Sequence, residues 1–176
     1  MKFLHYMIIL LLIMLLSCTD NKIKEHVLIM NDSPINMNLT NCHTKYLGKD
    51  TVLPNTDNYK LVVFIDSLTC STCFLSHLVD YYEINDSLQN VNGSTIIVIN
   101  PKSSQINEIK SLLKYERHPL WCIIDEHAKF LKLNPHIPSE RRFHTFLLDN
   151  NNNVILIGDP TKNRKIKNMI YNTLQY

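Results

Sequence analysis

Cys70 and Cys73, separated by Ser71 and Thr72, are the side chains of this 176-residue sequence best placed to do chemistry. They follow a β-branched apolar run, Lys-Leu-Val-Val-Phe-Ile-Asp at 60–66, and open a segment in which Phe74, Leu75, Leu78, Val79 and Tyr82 fall on one helical face. Two intervening residues let both sulfurs meet across one turn, so the pair can pass between dithiol and disulfide. A helix start adds unpaired N–H groups and a positive dipole end, which favour a thiolate on the first cysteine. The chemistry this predicts is thiol–disulfide exchange; the plainer reading is an inert cross-link.

The elements that must hold such a pair are visible on either side of it. Ser-Thr-Ile-Ile-Val-Ile-Asn at 94–100 and Trp-Cys-Ile-Ile-Asp at 121–125 are, like 60–66, short continuous apolar runs, the pattern of strands buried on both faces. Residues 143–149 and 154–158 form two more strands around the Asn150-Asn151-Asn152-Asn153 patch, which reads as a hairpin turn because Asn tolerates left-handed backbone. Ser103 and Ser104 cap a helix with Ile106, Ile109, Leu112 and Leu113 inward. Asp159-Pro160 opens a last helix whose Ile166, Met169, Ile170 and Leu174 share a side. The order predicts a central mixed sheet covered by helices on both faces, an α/β class. Residues 27–30 and 51–53 read as edge strands, punctuated by Gly48 and Pro54.

Composition narrows the field. At 45% apolar, 19% charged and with 3 Gly and 5 Cys, the chain is neither disordered, collagenous nor a disulfide framework. A net charge of +2 with scattered Lys and Arg leaves no footprint for nucleic acid. Lys162, Arg164, Lys165 and Lys167 read as the solvated face of the last helix.

The front end is an address. Lys2 precedes an apolar run over residues 6–16, too short for the roughly 20 residues a spanning helix needs. Leu15-Leu16-Ser17-Cys18 closes it and resembles a bacterial lipoprotein signal, in which the Cys18 thiol is acylated and becomes the new N-terminus. The division expected is a signal peptide over 1–17, a polar tether over 18–26, an N-terminal extension over 27–58 and the α/β domain over 59–176. The resemblance implies a lipid-anchored (palmitoylated) protein of the bacterial cell envelope, a compartment that permits disulfides. Of the other cysteines, Cys122 reads as a small buried hydrophobe, and Cys42, beside His43, as an exposed thiol or a partner for another cysteine.

From residue 60 onward the pattern resembles the thioredoxin-like superfamily, and within it the envelope thiol–disulfide oxidoreductases and redoxin-like lipoproteins of the Bacteroidetes type. The likeness lies in Val-Val-Phe-Ile-Asp-Ser-Leu-Thr-Cys-Ser-Thr-Cys at 62–73, Pro-Leu-Trp-Cys-Ile-Ile-Asp at 119–125, and Thr-Phe-Leu-Leu-Asp with Val-Ile-Leu-Ile-Gly across 145–158. Tyr-Leu-Gly-Lys at 46–49 is similar to the segment before the first core strand in such lipoproteins. The resemblance implies Cys70 as the attacking thiolate, Cys73 as the resolving thiol, protein thiols and disulfides as substrates, an unidentified redox partner and no cofactor.

The chain departs from that family in its details. Thr69 stands for the usual Trp, and Ser71-Thr72 for Gly-Pro. The family's cis-proline would fall near Phe143 or His144, neither of them proline. Phe64 sits where a buried acid is common. Asp66 is nearer the pair, as a proton relay for Cys73 or as a cap on the following turn. Ser67 stands where a peroxiredoxin carries Thr. The alternative to an enzyme is a binding module in which Cys70, Cys73 and His144 hold copper or zinc, for which thiolate and imidazole are suited.

Overall fold

The computed structural model describes residues 21–53 and 58–174. The signal peptide, Cys18 and Pro54 lie outside them. Helix α1 covers 21–31. It is followed by β1 (His43–Tyr46), β2 (Lys49–Thr51), β3 (Lys60–Ile65), α2 (Ser71–Leu75), a 3₁₀ turn (Leu78–Tyr81), α3 (Tyr82–Gln89), β4 (Ser94–Ile99), α4 (Ile106–Glu116), β5 (Trp121–Ile124), α5 (Lys129–Leu133), β6 (Thr145–Leu148), β7 (Val154–Ile157) and α6 (Arg164–Leu174).

The strands form one seven-stranded sheet in the order β2-β1-β5-β4-β3-β6-β7. β3, β4 and β5 run parallel, pairing Val63 with Ile97 and Ile97 with Cys122, while β6 runs antiparallel to β3 and pairs Val63 with Thr145. The run β4-β3-β6-β7, with β3 leading into the cysteine pair, is the thioredoxin-like arrangement. The predicted α/β class is what the chain adopts.

Every residue of β3 and β4 is buried because the pleat sends alternate side chains into two separate cores. Leu61, Val63, Ile97 and Ile99 meet α2, α3, α4 and α6 through Leu75, Leu88, Leu113 and Ile170. Val62, Phe64, Ile96 and Val98 meet the other layer, which includes Met30, Ile35, Leu39, Phe130 and Phe143.

Three expectations need correction. Residues 27–30 are not an edge strand: they belong to α1, where Val27 packs against the core and Met30 is fully buried, a helical and not a strand spacing. Residues 21–26 of the expected tether are helical too, so the chain enters the fold before residue 27. The second expected edge strand lies at Lys49–Thr51 and not at 51–53, because Leu47 and Gly48, both at positive φ, +50° and +77°, turn the chain back between Tyr46 and Lys49 as a tight two-residue hairpin requires. β1 also pairs with β5, so the N-terminal region completes the same sheet.

The Asn patch forms the β6–β7 turn: Asp149 Oδ1 accepts from the Asn151 and Asn153 N–H groups, and Asn152 takes positive φ. The last helix starts later than Asp159-Pro160, at Arg164, where Asn163 Oδ1 accepts from the Lys165 N–H.

Candidate redox site

β3 ends at Ile65 and a tight turn carries the chain to the cysteines. Asp66 builds that turn, its Oδ1 accepting from Leu68 N–H at 3.1 Å, Thr69 N–H at 2.8 Å and the Thr69 hydroxyl at 2.7 Å. One carboxylate oxygen thus serves three donors at the end of the strand, of which the Thr69 N–H is shared with the Asp66 carbonyl at 3.1 Å. The other, Oδ2, faces His144 Nδ1 at 3.9 Å. Of the two roles weighed for Asp66, the turn cap is the one these bonds describe.

Cys70 is the N-cap of α2 and is joined to Cys73 in a disulfide, with the two Cα atoms 5.3 Å apart. Both cysteines are exposed, so burial does not set them apart. Hydrogen bonding does. Cys70 Sγ accepts the Cys73 N–H at 3.3 Å and lies 3.5 Å from Thr72 Oγ1, whose hydroxyl is the donor while the sulfur is in a disulfide.

The helix behind the pair is shorter than its apolar spacing predicts. α2 stops after five residues, because the Ser76 hydroxyl donates to the Cys73 carbonyl at 2.7 Å and the chain tightens to 3₁₀ geometry, with Asp80 N–H bonding to His77 O. Leu75, Leu78 and Tyr81 are buried at a spacing of three, while Val79, expected inward, is 58% exposed. A single helical turn carries little macrodipole, so the individual N–H and hydroxyl donors at Cys70 Sγ are what favour negative charge there.

His144, one of the two positions near which the resemblance implies a cis-proline, lies immediately before β6, and its carbonyl accepts the Phe64 N–H at 2.7 Å. The described residues contain no cis peptide bond. The ring is buried, 5.0 Å from Phe64, with Nε2–H donating to the Pro138 carbonyl at 3.0 Å. Burial, the dominant cause, holds its pKa below the ordinary imidazole value. Among the described residues no three His, Cys, Asp or Glu side chains converge on a metal position. The alternative ligand set of Cys70, Cys73 and His144 is therefore not assembled: the sulfurs are bonded to each other and the imidazole N–H is committed to a backbone carbonyl.

The remaining cysteines are apart from the pair. Cys122 is buried in the middle of β5 as expected, and burial pushes its thiol up to about 12. Cys42 is free and partly buried, and desolvation, then the nearby Asp125 carboxylate, raises its pKa.

A cleft of about 540 Å³ opens beside the disulfide. Thr69 and Phe74, which flank the two cysteines, form part of its wall, together with Arg141, Arg142 and Lys162. Arg141 reaches across to donate to the Leu68 carbonyl at 3.1 Å. The two arginines went unnoticed in the sequence; the signal that would have found them is an Arg-Arg doublet placed just before a strand that pairs with β3.

No family model matches the chain, and no curated protein matches it. Solved structures similar to it include the three that follow. The thioredoxin domain of a thiol-disulfide oxidoreductase from Bacteroides vulgatus is 12% identical, with 78% of this chain and 98% of that one covered and a TM-score of 0.48. An uncharacterized thioredoxin-like protein from Porphyromonas gingivalis is 15% identical, over 73% of this chain and 88% of that one, with a TM-score of 0.46. AhpC of Mycobacterium tuberculosis is 15% identical, over 69% of this chain and 75% of that one, with a TM-score of 0.46.

Proposed function

We propose that this protein is a thiol–disulfide oxidoreductase of the bacterial cell envelope, anchored through lipid on Cys18, which exchanges electrons with protein thiols through Cys70 and Cys73. The observation that carries the reading is the exposed Cys70–Cys73 disulfide at the end of the central strand, with two hydrogen-bond donors aimed at one of its sulfurs. A buried or symmetrically placed cross-link would need neither feature.

In the reducing direction the reduced pair begins with a Cys70 thiolate, held by the Cys73 N–H and the Thr72 hydroxyl. It attacks one sulfur of a substrate disulfide, forming a mixed disulfide while the expelled substrate thiolate takes up a proton. Cys73, once deprotonated, attacks Cys70 Sγ and releases the second substrate thiol. The substrate gains two electrons and two protons, and the Cys70–Cys73 disulfide of the present structure results. Run backwards, the same steps oxidise a substrate dithiol. The direction follows from the potential of the envelope thiol couple that serves as redox partner.

Equilibration of the full chain with glutathione couples of graded potential, followed by acid quenching and thiol labelling, tests the reading. A reversible two-electron transition that is absent in Cys70→Ser is expected; a pair that stays oxidised or reduced at every potential would overturn it. The anchor has its own assay. Metabolic lipid labelling in a bacterial host should mark the wild-type chain and leave Cys18→Ala unmarked, and continued labelling of that variant rejects the lipoprotein assignment.

A further inference from the structure

The cleft beside the disulfide carries charge of one sign. Among its lining residues Arg141, Arg142 and Lys162 are cationic and Asp159 is the sole carboxylate. Asp159 is already occupied: its Oδ1 accepts from the Tyr81 hydroxyl at 3.1 Å and the Thr161 hydroxyl at 2.7 Å, and its Oδ2 pairs with Lys162 at 3.2 Å. The nearby Asp66 spends Oδ1 on its turn, and Glu140, next in sequence to the arginines, lies outside the cleft lining with its carboxylate 3.2 Å from the His26 ring of α1.

The arginines are not compensated in the same way. Arg141 donates to a neutral carbonyl, and Arg142 is exposed with no side-chain hydrogen bond or ion pair among the described residues. The turn that carries them is anchored: Phe143, the last residue of the short 3₁₀ turn Arg141–Phe143, is buried and packs its ring against His26 at 5.1 Å. Arg141 and Arg142 thus line the same cleft as Thr69 and Phe74, the residues on either side of the cysteine pair, with Arg141 bonded to the Leu68 carbonyl beside Thr69. Each guanidinium offers a planar fork of donors matched to a carboxylate.

We infer that this cleft selects protein substrates whose reactive cysteine is flanked by Asp or Glu. The inference rests on the exchange reading of Cys70 and Cys73 and adds the substrate class to it. Acidic side chains on either side of the substrate cysteine would engage Arg142 and Arg141 and steer the sulfur toward Cys70.

Three dithiol peptides of equal length test it, differing only in whether Asp, Gln or Lys flanks each cysteine, reacted with the oxidised full chain at low ionic strength. The Asp peptide is expected to exchange about tenfold faster than the Gln peptide and the Lys peptide slower still, a modest instance of electrostatic steering. The ratio of Asp to Gln rates should collapse toward one in Arg142→Glu combined with Lys162→Gln, and return in Arg142→Lys. Equal rates for the three peptides, or a ratio unchanged in the double variant, would overturn the inference. Exchange of the wild-type chain with β-mercaptoethanol, which has no flanking charge, reports on the pair alone: its absence sinks the oxidoreductase reading itself. Binding of the same peptides with Ser in place of Cys, followed by fluorescence anisotropy, reads the cleft without exchange. Tighter binding of the Asp version supports the inference, and indifference to charge rejects it.

Discussion

The backbone N–H of Cys73 points at Cys70 Sγ from 3.3 Å, so the residue that closes the disulfide also offers a donor to the sulfur that carries the charge once the pair is reduced to a Cys70 thiolate. No corresponding hydrogen bond reaches Cys73 Sγ among the described residues. This asymmetry, and not a difference in exposure, is what favours Cys70 over Cys73 as the nucleophile in the proposed exchange. The Thr72 hydroxyl at 3.5 Å adds to it, and a hydrogen bond to a charged group contributes about 1.5–3 kcal/mol before solvent competition at an exposed site. Thr72→Val should therefore slow iodoacetamide alkylation of reduced Cys70 at pH 7 by about threefold to tenfold, with the difference vanishing at high pH where the thiol is fully ionised. An unchanged rate would show that the N–H alone carries the effect.

Asp66 separates two roles by substitution. Asp66→Ala strips the Leu68 N–H and the Thr69 hydroxyl of their acceptor, leaves the Thr69 N–H only its bond to the backbone carbonyl of residue 66, and should lower stability by about 1–2 kcal/mol in urea unfolding, the usual cost of losing such a cap. Asp66→Asn keeps a side-chain oxygen in place and should recover much of that loss. If its exchange rate with glutathione also matches wild type across pH 6–9, Asp66 acts through the turn. A selective loss of the second, Cys73-dependent step would instead assign it the proton relay.

Stability should fall on acidification because of His144. Its folded-state pKa lies below the unfolded value of about 6.5, so the unfolded chain binds more protons in the window between the two. The contribution is full above the unfolded pKa and is lost as pH falls through the folded one. Urea midpoints measured from pH 8 to pH 5 should decline more steeply for wild type than for His144→Gln, whose amide can still donate to the Pro138 carbonyl. Parallel curves would place the acid sensitivity elsewhere.

The free thiols should be silent in the native state. Burial raises the pKa of both Cys122 and Cys42, most strongly for Cys122, so few of either are thiolate at pH 8. Ellman's reagent added to the oxidised chain should react only slowly, and fast reaction with two thiols should appear after mild reduction, vanishing in Cys70→Ser/Cys73→Ser. Cys122→Ser, which puts a hydroxyl into an apolar strand, should cost about 1–3 kcal/mol.

Much of the sheet was readable from the chain because its strands are buried on both faces. Lys60–Ile65, Ser94–Ile99 and Trp121–Ile124 are continuous apolar runs, and such runs have few alternatives to a central strand. The Asn-rich hairpin was readable for a local reason, since Asp149 and its Asn neighbours close the turn with their own side chains. Residues 27–30 were not: Val-Leu-Ile-Met favours a strand locally, and only the burial of Met30 under the sheet makes the helix the better arrangement.

The sequence by itself determined that two cysteines would sit one turn apart at the end of a buried strand, because spacing and hydrophobic pattern are properties of adjacent residues. It also determined that His144 would stand where a proline is absent. What only the tertiary structure decided is everything that depends on residues far apart in the chain: the approach of Asp66 Oδ2 to His144 Nδ1, and the meeting of Arg141 and Arg142 with Thr69 and Phe74 in the lining of one cleft. β6 pairs with β3 across some eighty positions of sequence, and that pairing, driven by burial of Val62 and Phe146, sets the two arginines beside the disulfide.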